Sequence, residues 1–419
     1  MAAAVCGLAA TLGSLMTAAA AAPALPPKLR QEWEEFFAEG VYSALVPVYI
    51  SVTRAAAPAH SRAVTRQLAA AVSPCPGAQL LGVRVSPLHL ARDVDLAAPL
   101  PDSLTFLYNH VAPLLLAPCR HTRVSACQLL TTLARSTPDT ETEEQEAEES
   151  KEIPRRLLEI IKQGDTLLDT ILQEFRVGEA AGPIPPGTEA HTLTVGYLLC
   201  WSVVLALLEA AGDETRPRYT EFLKAGGHLD SLLGHLFRLL PRNAAQDPSL
   251  FLGRPSLEGG EAEEVSRLAG SCWMAVCRGL PAVARTWWQN TDKLARDAVE
   301  KVTAAVVTPV LWREESEAIQ ASDRSDNMRV RVRDSVREVV ATYTIDEGSL
   351  ELVISLATNH PLGGVAVDTG NRVGVDMAQW RKWMLQLTTF LSYQNGTILG
   401  GLNLWKKNVD KRFEGVEVG

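Results

Sequence analysis

Cysteine and histidine are the residues with which this 419-residue chain could bind metal or attack a substrate, and their spacing supports neither role. The seven cysteines, Cys6, Cys75, Cys119, Cys127, Cys200, Cys272 and Cys277, are odd in number and irregularly placed, with no Cys-x-x-Cys among them. A disulfide framework wants an even set, and a zinc site wants closely spaced ligand pairs on converging elements. His110 and His121 flank Cys119, with Cys127 nearby, but Pro113 and Pro118 interrupt that segment. Cys272 and Cys277, five apart on one expected helix, fall on different faces and read as small buried hydrophobes. No Ser-His-Asp pattern, phosphate-binding glycine loop or His-Glu-x-x-His occurs. The expectation is therefore no catalytic residue, no cofactor-binding residue and no metal ligand, with thiols reduced as in the cytosol.

Charge is the remaining chemistry. The formal charge is −9, yet from Arg324 onward 12 basic and 11 acidic residues nearly cancel, so the acidic excess sits upstream. A wholly acidic chain would argue against nucleic acid, because neutralising phosphates takes Lys and Arg. In the near-neutral last part, Arg329, Arg331 and Arg333 alternate along an expected strand, and Lys406, Lys407, Lys411 and Arg412 crowd the last expected helix. Opposed by Asp410 and Glu414, they read either as a solvated face or as a contact surface.

These positions must be held by elements that the pattern places in order. Hydrophobic content of 47% with aromatics at only 6% favours helices built from Ala, Leu and Val. Residues 1–25 are an Ala-rich, low-complexity start, with no basic residue before Lys28 as a signal peptide would require. Residues 26–138 read as helical repeats, opening with Trp33, Phe36, Phe37, Val41, Leu45 and Val48 on one apolar face. Residues 139–152 form an acidic linker, rich in Glu and empty of large apolar residues. Helical repeats resume over 153–312. The run 193–211 is long and apolar enough for a bilayer, but Thr194, Ser202 and Glu209 interrupt it and no Lys/Arg cluster flanks it, so burial within the stack and no membrane partner are expected. Single helices are expected over 219–240, 261–289 and 292–310, and the whole reads as a HEAT/ARM-like α-solenoid. The Trp287-Trp288 pair reads as packing one helix against the next domain.

After Trp312 the texture changes to period-two alternation. Strands are expected at 329–333, 339–345 and 350–357, then short ones at 365–368 and 372–375 with Thr369-Gly370-Asn371 turning between them. Helices follow at 378–393, with Trp380, Trp383 and Leu387 facing the sheet, and at 397–413. Residues 324–415 thus form a small α+β domain, and the chain as a whole is mostly α.

These last segments resemble a known family. The stretches 337–345, Asn359-His360-Pro361-Leu362-Gly363, 370–375, 379–387 and 404–417 look like the RWD domain of listerin-type RING ubiquitin ligases, and Leu280-Pro281-Ala282 with Arg285, Trp287 and Trp288 extends the likeness upstream. The resemblance implies a HEAT-repeat and RWD segment that binds the 60S ribosomal subunit and its quality-control complex in the cytosol, and directs ubiquitylation of stalled nascent chains. It makes Arg329, Arg331, Arg333, Lys406, Lys407, Lys411 and Arg412 the candidate ribosome contacts. In the family a zinc-binding RING follows the stretch ending at Glu417; these 419 residues hold no such ligand set, so this chain is expected to be inactive alone and to engage a ubiquitin-conjugating enzyme only if a RING is present. A non-catalytic helical-repeat and RWD scaffold is the alternative, and a secreted or membrane protein a third class.

Overall fold

The computed structural model describes residues 7, 8, 10, 11, 27–54, 61–83, 103–136, 153–212, 214–257, 259–322, 327–345 and 348–413; the acidic linker and nearly all of 1–25 lie outside these. The chain divides into two compact units, with Met1–Glu174, Ala181–His235 and Gly253–Cys272 in the first and Phe175–Ala180, Leu236–Leu252 and Trp273–Gly419 in the second.

The first unit is helical. Its elements are α1 (Ala38–Arg54), α2 (Ser61–Val72), α3 (Gly77–Leu81), α4 (Ser103–Val111), α5 (Arg120–Ser136), α6 (Arg155–Leu172), α7 (Glu189–Ala210) and α8 (Thr215–Ala225). Pro27–Glu32 and a π turn at Trp33–Phe37 lead into α1. The predicted apolar face there is corrected: Phe36, Phe37 and Val48 are exposed, and Ala38, Tyr42, Val46, Tyr49 and Ile50 form the buried stripe. The π turn adds a residue to one turn and so rotates everything after it. The centre of the unit is α7, packed against α5 and α6. Thr188 starts it by accepting from the His191 amide. It is apolar on all sides, and Val195, Tyr197, Leu198, Leu199, Trp201, Val203 and Val204 are all fully buried. Pro27 to Arg54 supplies the other segment, 28–53, whose length and composition reach a bilayer's thickness.

The second unit holds α9 (His228–Leu239) and α10 (Glu264–Gly279) in part, then α11 (Pro281–Asn290), α12 (Lys293–Val302) and α13 (Thr308–Ala321). The single helices expected at 219–240 and 261–289 are each two. Gly226-Gly227, with Gly227 at φ +74°, separates α8 from α9, and Pro281, at the first position of α11, ends α10. The helix expected to stop near 310 runs through a π turn at Thr303–Val307 to Ala321. Its Trp312 and Ile319 belong to the core of the sheet that follows, so a boundary at 312 would cut that core.

Four antiparallel strands, β1 (Met328–Arg333), β2 (Glu338–Ile345), β3 (Gly348–Leu356) and β4 (Val365–Arg372), lie in the order β1-β2-β3-β4. The two short strands expected beyond 365 are one: β4 continues through Thr369-Gly370-Asn371, and an irregularity between Leu350 and Leu352 absorbs the slack. Two helices, α14 (Met377–Tyr393) and α15 (Ile398–Phe413), cover one sheet face. Asp376 caps α14 by accepting from the Ala378 and Gln379 amides. Trp380, Trp383, Leu387 and Trp405 join Val339, Ala341, Leu352 and Ile354 in one buried hydrophobic core. Each buried aromatic removes about 150–250 Å² from water, of order 4–6 kcal/mol before the ordering cost.

Gly164 on α6 sits against the ring of Tyr197, and a Cβ there would overlap ring carbons. Alanine normally gains about 1 kcal/mol over glycine within a helix, whereas overpacking costs about 1–3 kcal/mol. The clash outweighs the propensity, so Gly164→Ala is expected to lower stability by roughly 1–2 kcal/mol and Gly164→Val by more in denaturant unfolding; an unchanged or raised midpoint would contradict this packing.

Candidate functional site: a basic sheet edge on a locked joint

Strand alternation decides which way the basic residues point. Val330 and Val332 pack onto the core under α14 and α15, so Arg329, Arg331 and Arg333 emerge from the opposite, uncovered face, where all three are exposed. Arg333 pairs with Glu338 at 2.6 Å. On α15, Trp405 and Val409 face the core, which turns Lys407 and Lys411 away from the sheet. Lys406 lies along the helix with Asp410 at 2.6 Å, and that carboxylate also accepts from the Tyr343 hydroxyl. Arg412 is exposed in the last turn of α15. The seven candidate contacts are therefore not one patch: three lie on the open sheet face and the lysines and Arg412 on the helical layer behind it.

What holds this module within the second unit is a set of polar contacts made by residues far apart in sequence. The guanidinium of Arg285 on α11 donates to the Pro361 carbonyl at 3.0 Å and to the Ser392 carbonyl at 2.6 Å. Asn359 donates to Glu300 at 3.0 Å, and the Thr308 hydroxyl donates to the His360 carbonyl at 2.7 Å. The Asn395 side chain, its backbone left-handed at φ +56°, accepts from the Ala282 amide at the start of α11. Glu315 on α13 accepts from the Ile398 amide that opens α15, and burial pushes its carboxyl pKa up against the pull of the Ile398 and Leu399 amides. Trp312 and Ser316 both donate to Asp334, just after β1. Hydrogen bonds to a charged partner are worth about 1.5–3 kcal/mol each, so these few contacts outweigh the exposed ion pairs elsewhere. Of them, the sequence marked Ala282, Arg285, Asn359, His360 and Pro361 through the resemblance; Glu300, Thr308, Glu315 and Asp334 carry no local signal. Trp287, expected to pack on the next domain, instead stacks on Phe237 and lies against Trp273 inside the helical part, and Trp288 donates to the Arg296 carbonyl.

The first unit carries two polar clusters that sequence reading missed. Glu264 lies between Arg120 and Arg123 at 3.0 and 3.5 Å, and all three side chains are nearly enclosed. Tyr197 donates to Asp165, which also meets His228 at 2.7 Å, while His235 bridges Tyr197 and Asp169. Both clusters link neighbouring helices; the enclosed Glu264 is paired because an unpaired buried charge costs several kcal/mol, whereas Asp169 is largely exposed. A groove of about 670 Å³ beside α6 is lined by Leu116, Ile160, Leu167 and Leu193, with its polar neighbours Lys162, Gln163 and Thr166 exposed. It lacks the convergent polar groups of a small-molecule site. Burial raises the pKa of Cys75, Cys127 and Cys272 to about 12 and pushes those of Cys200 and Cys277 well up, so these thiols are poor nucleophiles. Among the described residues no group of three His, Cys, Asp or Glu side chains converges as a metal site would.

Comparison with known proteins separates the helical part of the chain from the sheet module. Residues 100–320 match the LTN1 family HEAT repeat region, more than half of the chain. The chain belongs to the listerin family. Residues 328–412 match the ubiquitin conjugating domain-like fold. The E3 ubiquitin-protein ligase listerin of Gallus gallus is 36% identical and that of Xenopus tropicalis 35% identical, each alignment covering 94% of this chain and 24% of the relative. The listerin of Drosophila melanogaster is 34% identical over 60% of the chain and 15% of the relative. The chain thus spans about a quarter of the length of the vertebrate listerins it matches. Its conjugating-domain-like module contains no cysteine, since the last one is Cys277. A ubiquitin thioester forms on a cysteine sulfur, so the likeness is one of fold and not of chemistry.

His360 gives the joint a pH signature. Its Nδ1 is enclosed and takes no hydrogen-bond partner among the described residues. Burial first, and Arg285 second, lower its pKa from 6.5 to about 4. Between those values the unfolded chain holds more protons, so stability is full above pH 6.5 and falls as pH drops toward 4, by about 2–3 kcal/mol for this group. Thermal unfolding at pH 7.5 and 5.0 should show the loss, and His360→Gln should flatten it; an equal slope in that variant would contradict the assignment.

Proposed function

We propose that this chain is the part of a listerin-type E3 ligase that docks on the 60S ribosomal subunit and fixes where ubiquitin is delivered to a stalled nascent chain. The helical repeats act as a carrying arm in the cytosol, and the α+β module, an RWD domain in this reading, is the contact head. Transfer chemistry belongs to a conjugating enzyme recruited elsewhere in the ligase, through a zinc-bound RING.

The observation that carries the reading is the joint. Family membership supplies the ligase, and the cysteine-free module leaves positioning as the work this segment can perform. A module fastened at Arg285, Glu300, Thr308 and Glu315 presents its arginines in one direction. The ribosomal surface, rich in phosphate, is a natural counterpart for exposed Arg and Lys.

Cosedimentation with purified 60S subunits tests this. Binding is expected at low salt, weakening steeply between about 50 and 200 mM as counterion release predicts. Reversing Arg329, Arg331 and Arg333 to Glu should weaken binding by about tenfold or more, and reversing Lys407 and Lys411 shows whether the helical layer contributes. No pelleting at low salt removes the ribosomal reading and leaves a non-catalytic helical-repeat scaffold, for which ubiquitin-transfer assays stay blank and other partners must be sought.

A further inference from the structure

The first strand of the sheet is an edge: the order β1-β2-β3-β4 leaves it paired on one side only. Which of its backbone groups face outward follows from the register. Asn327 stands opposite Thr344, because Met328 pairs with Tyr343, and the Thr344 amide donates to the Asn327 carbonyl at 2.8 Å. That marks a hydrogen-bonded pair, and such pairs recur at every second residue. Arg329, Arg331 and Arg333 therefore spend their backbone groups on β2, while those of Val330 and Val332 point away from the sheet. These outward groups take no backbone or side-chain partner among the described residues.

We infer that this edge accepts a strand from a partner protein, an extended segment in which acidic residues alternate with β-branched apolar ones. Side-chain direction sets the pattern. Residues of an added strand opposite Arg329, Arg331 and Arg333 emerge on the same open face as those arginines, in the closer, non-hydrogen-bonded pairs, where opposite charges stabilise and like charges repel. Residues opposite Val330 and Val332 fall on the other face, beside valines already packed on the core. The occupant thus reads acidic, apolar, acidic, apolar, acidic.

Two alternatives fit less well. A second copy of β1 would set arginine against arginine, which is how charged edges prevent self-pairing. A nucleic-acid strand across the open face would meet Glu338, Glu351 and Asp368, which the register places on the same side as the arginines. A strand added at the edge lies beside the arginines and two to four strand spacings, roughly 10–19 Å, from Glu338 and the carboxylates beyond it, past the screening length of physiological salt. The inference stands whether or not the chain docks on the ribosome.

The test uses the whole chain and a fluorescein-labelled peptide alternating three glutamates with valines, followed by anisotropy. Saturating peptide should slow hydrogen exchange at the Val330 and Val332 amides, and unchanged exchange there would overturn strand addition. Val330→Pro removes an outward donor without touching the bonds to β2, and should weaken binding at least tenfold. Reversing Arg329 and Arg331 to Glu should do the same and transfer the preference to a lysine–valine peptide. Val330→Pro binding as tightly as the parent, or an oligouridylate binding more tightly than the peptide, would assign the arginines to a non-strand contact and refute the proposal. Cosedimentation of Val330→Pro with 60S subunits, run in parallel, reads the ribosomal reading separately.

Discussion

A single half-buried guanidinium organises the second unit. Arg285 reaches from α11 to two carbonyls, one on the 359–362 connection and one at the C-terminal end of α14. Those carbonyls belong to segments that leave regular structure, where backbone acceptors have no ladder or helix partner of their own. Satisfying both with one side chain ties the loop, the helix end and the last helical hairpin to the same point. Its burial lowers its own pKa, a sign that the charge is held there at some cost.

The surrounding contacts follow the same logic of supplying orphaned backbone groups from a neighbouring element. Asn395 gives the first turn of α11 an acceptor, and Glu315 does so for α15. A helix N-terminus favours a carboxylate near it, so Glu315 both caps α15 and pins α13 beside it. Trp312 and Ile319 then complete the hydrophobic side of the arrangement under the sheet. The consequence for function is direction: what the sheet displays is displayed relative to α11–α13, and three arginines on its open face inherit that direction.

Much of the module was legible in sequence because its signals are local. The alternation from Arg329 to Arg333 announces a strand with one charged face, and Trp380, Trp383 and Leu387 announce a helix lying on it. Local signals also misled. Thr369-Gly370-Asn371 has turn composition yet continues β4, because pairing with β3 across an irregularity overrides it. The single helix expected over 219–240 crosses Gly226-Gly227, where two separate helices meet, and Phe222 is exposed. The joint escaped altogether apart from the residues the resemblance marked. Arg285 and Pro361 are 76 residues apart, and no periodicity links a charged side chain to a distant carbonyl.

The central claim is that the joint fixes the sheet module on the helices that precede it. Pulsed electron spin resonance between labels placed as unnatural amino acids at Lys301 on α12 and Lys407 on α15, both exposed, measures this directly. The account predicts one narrow distance distribution in the parent chain and a broadened one in Arg285→Ala. A broad distribution in the parent, or an equally narrow one without Arg285, would contradict it.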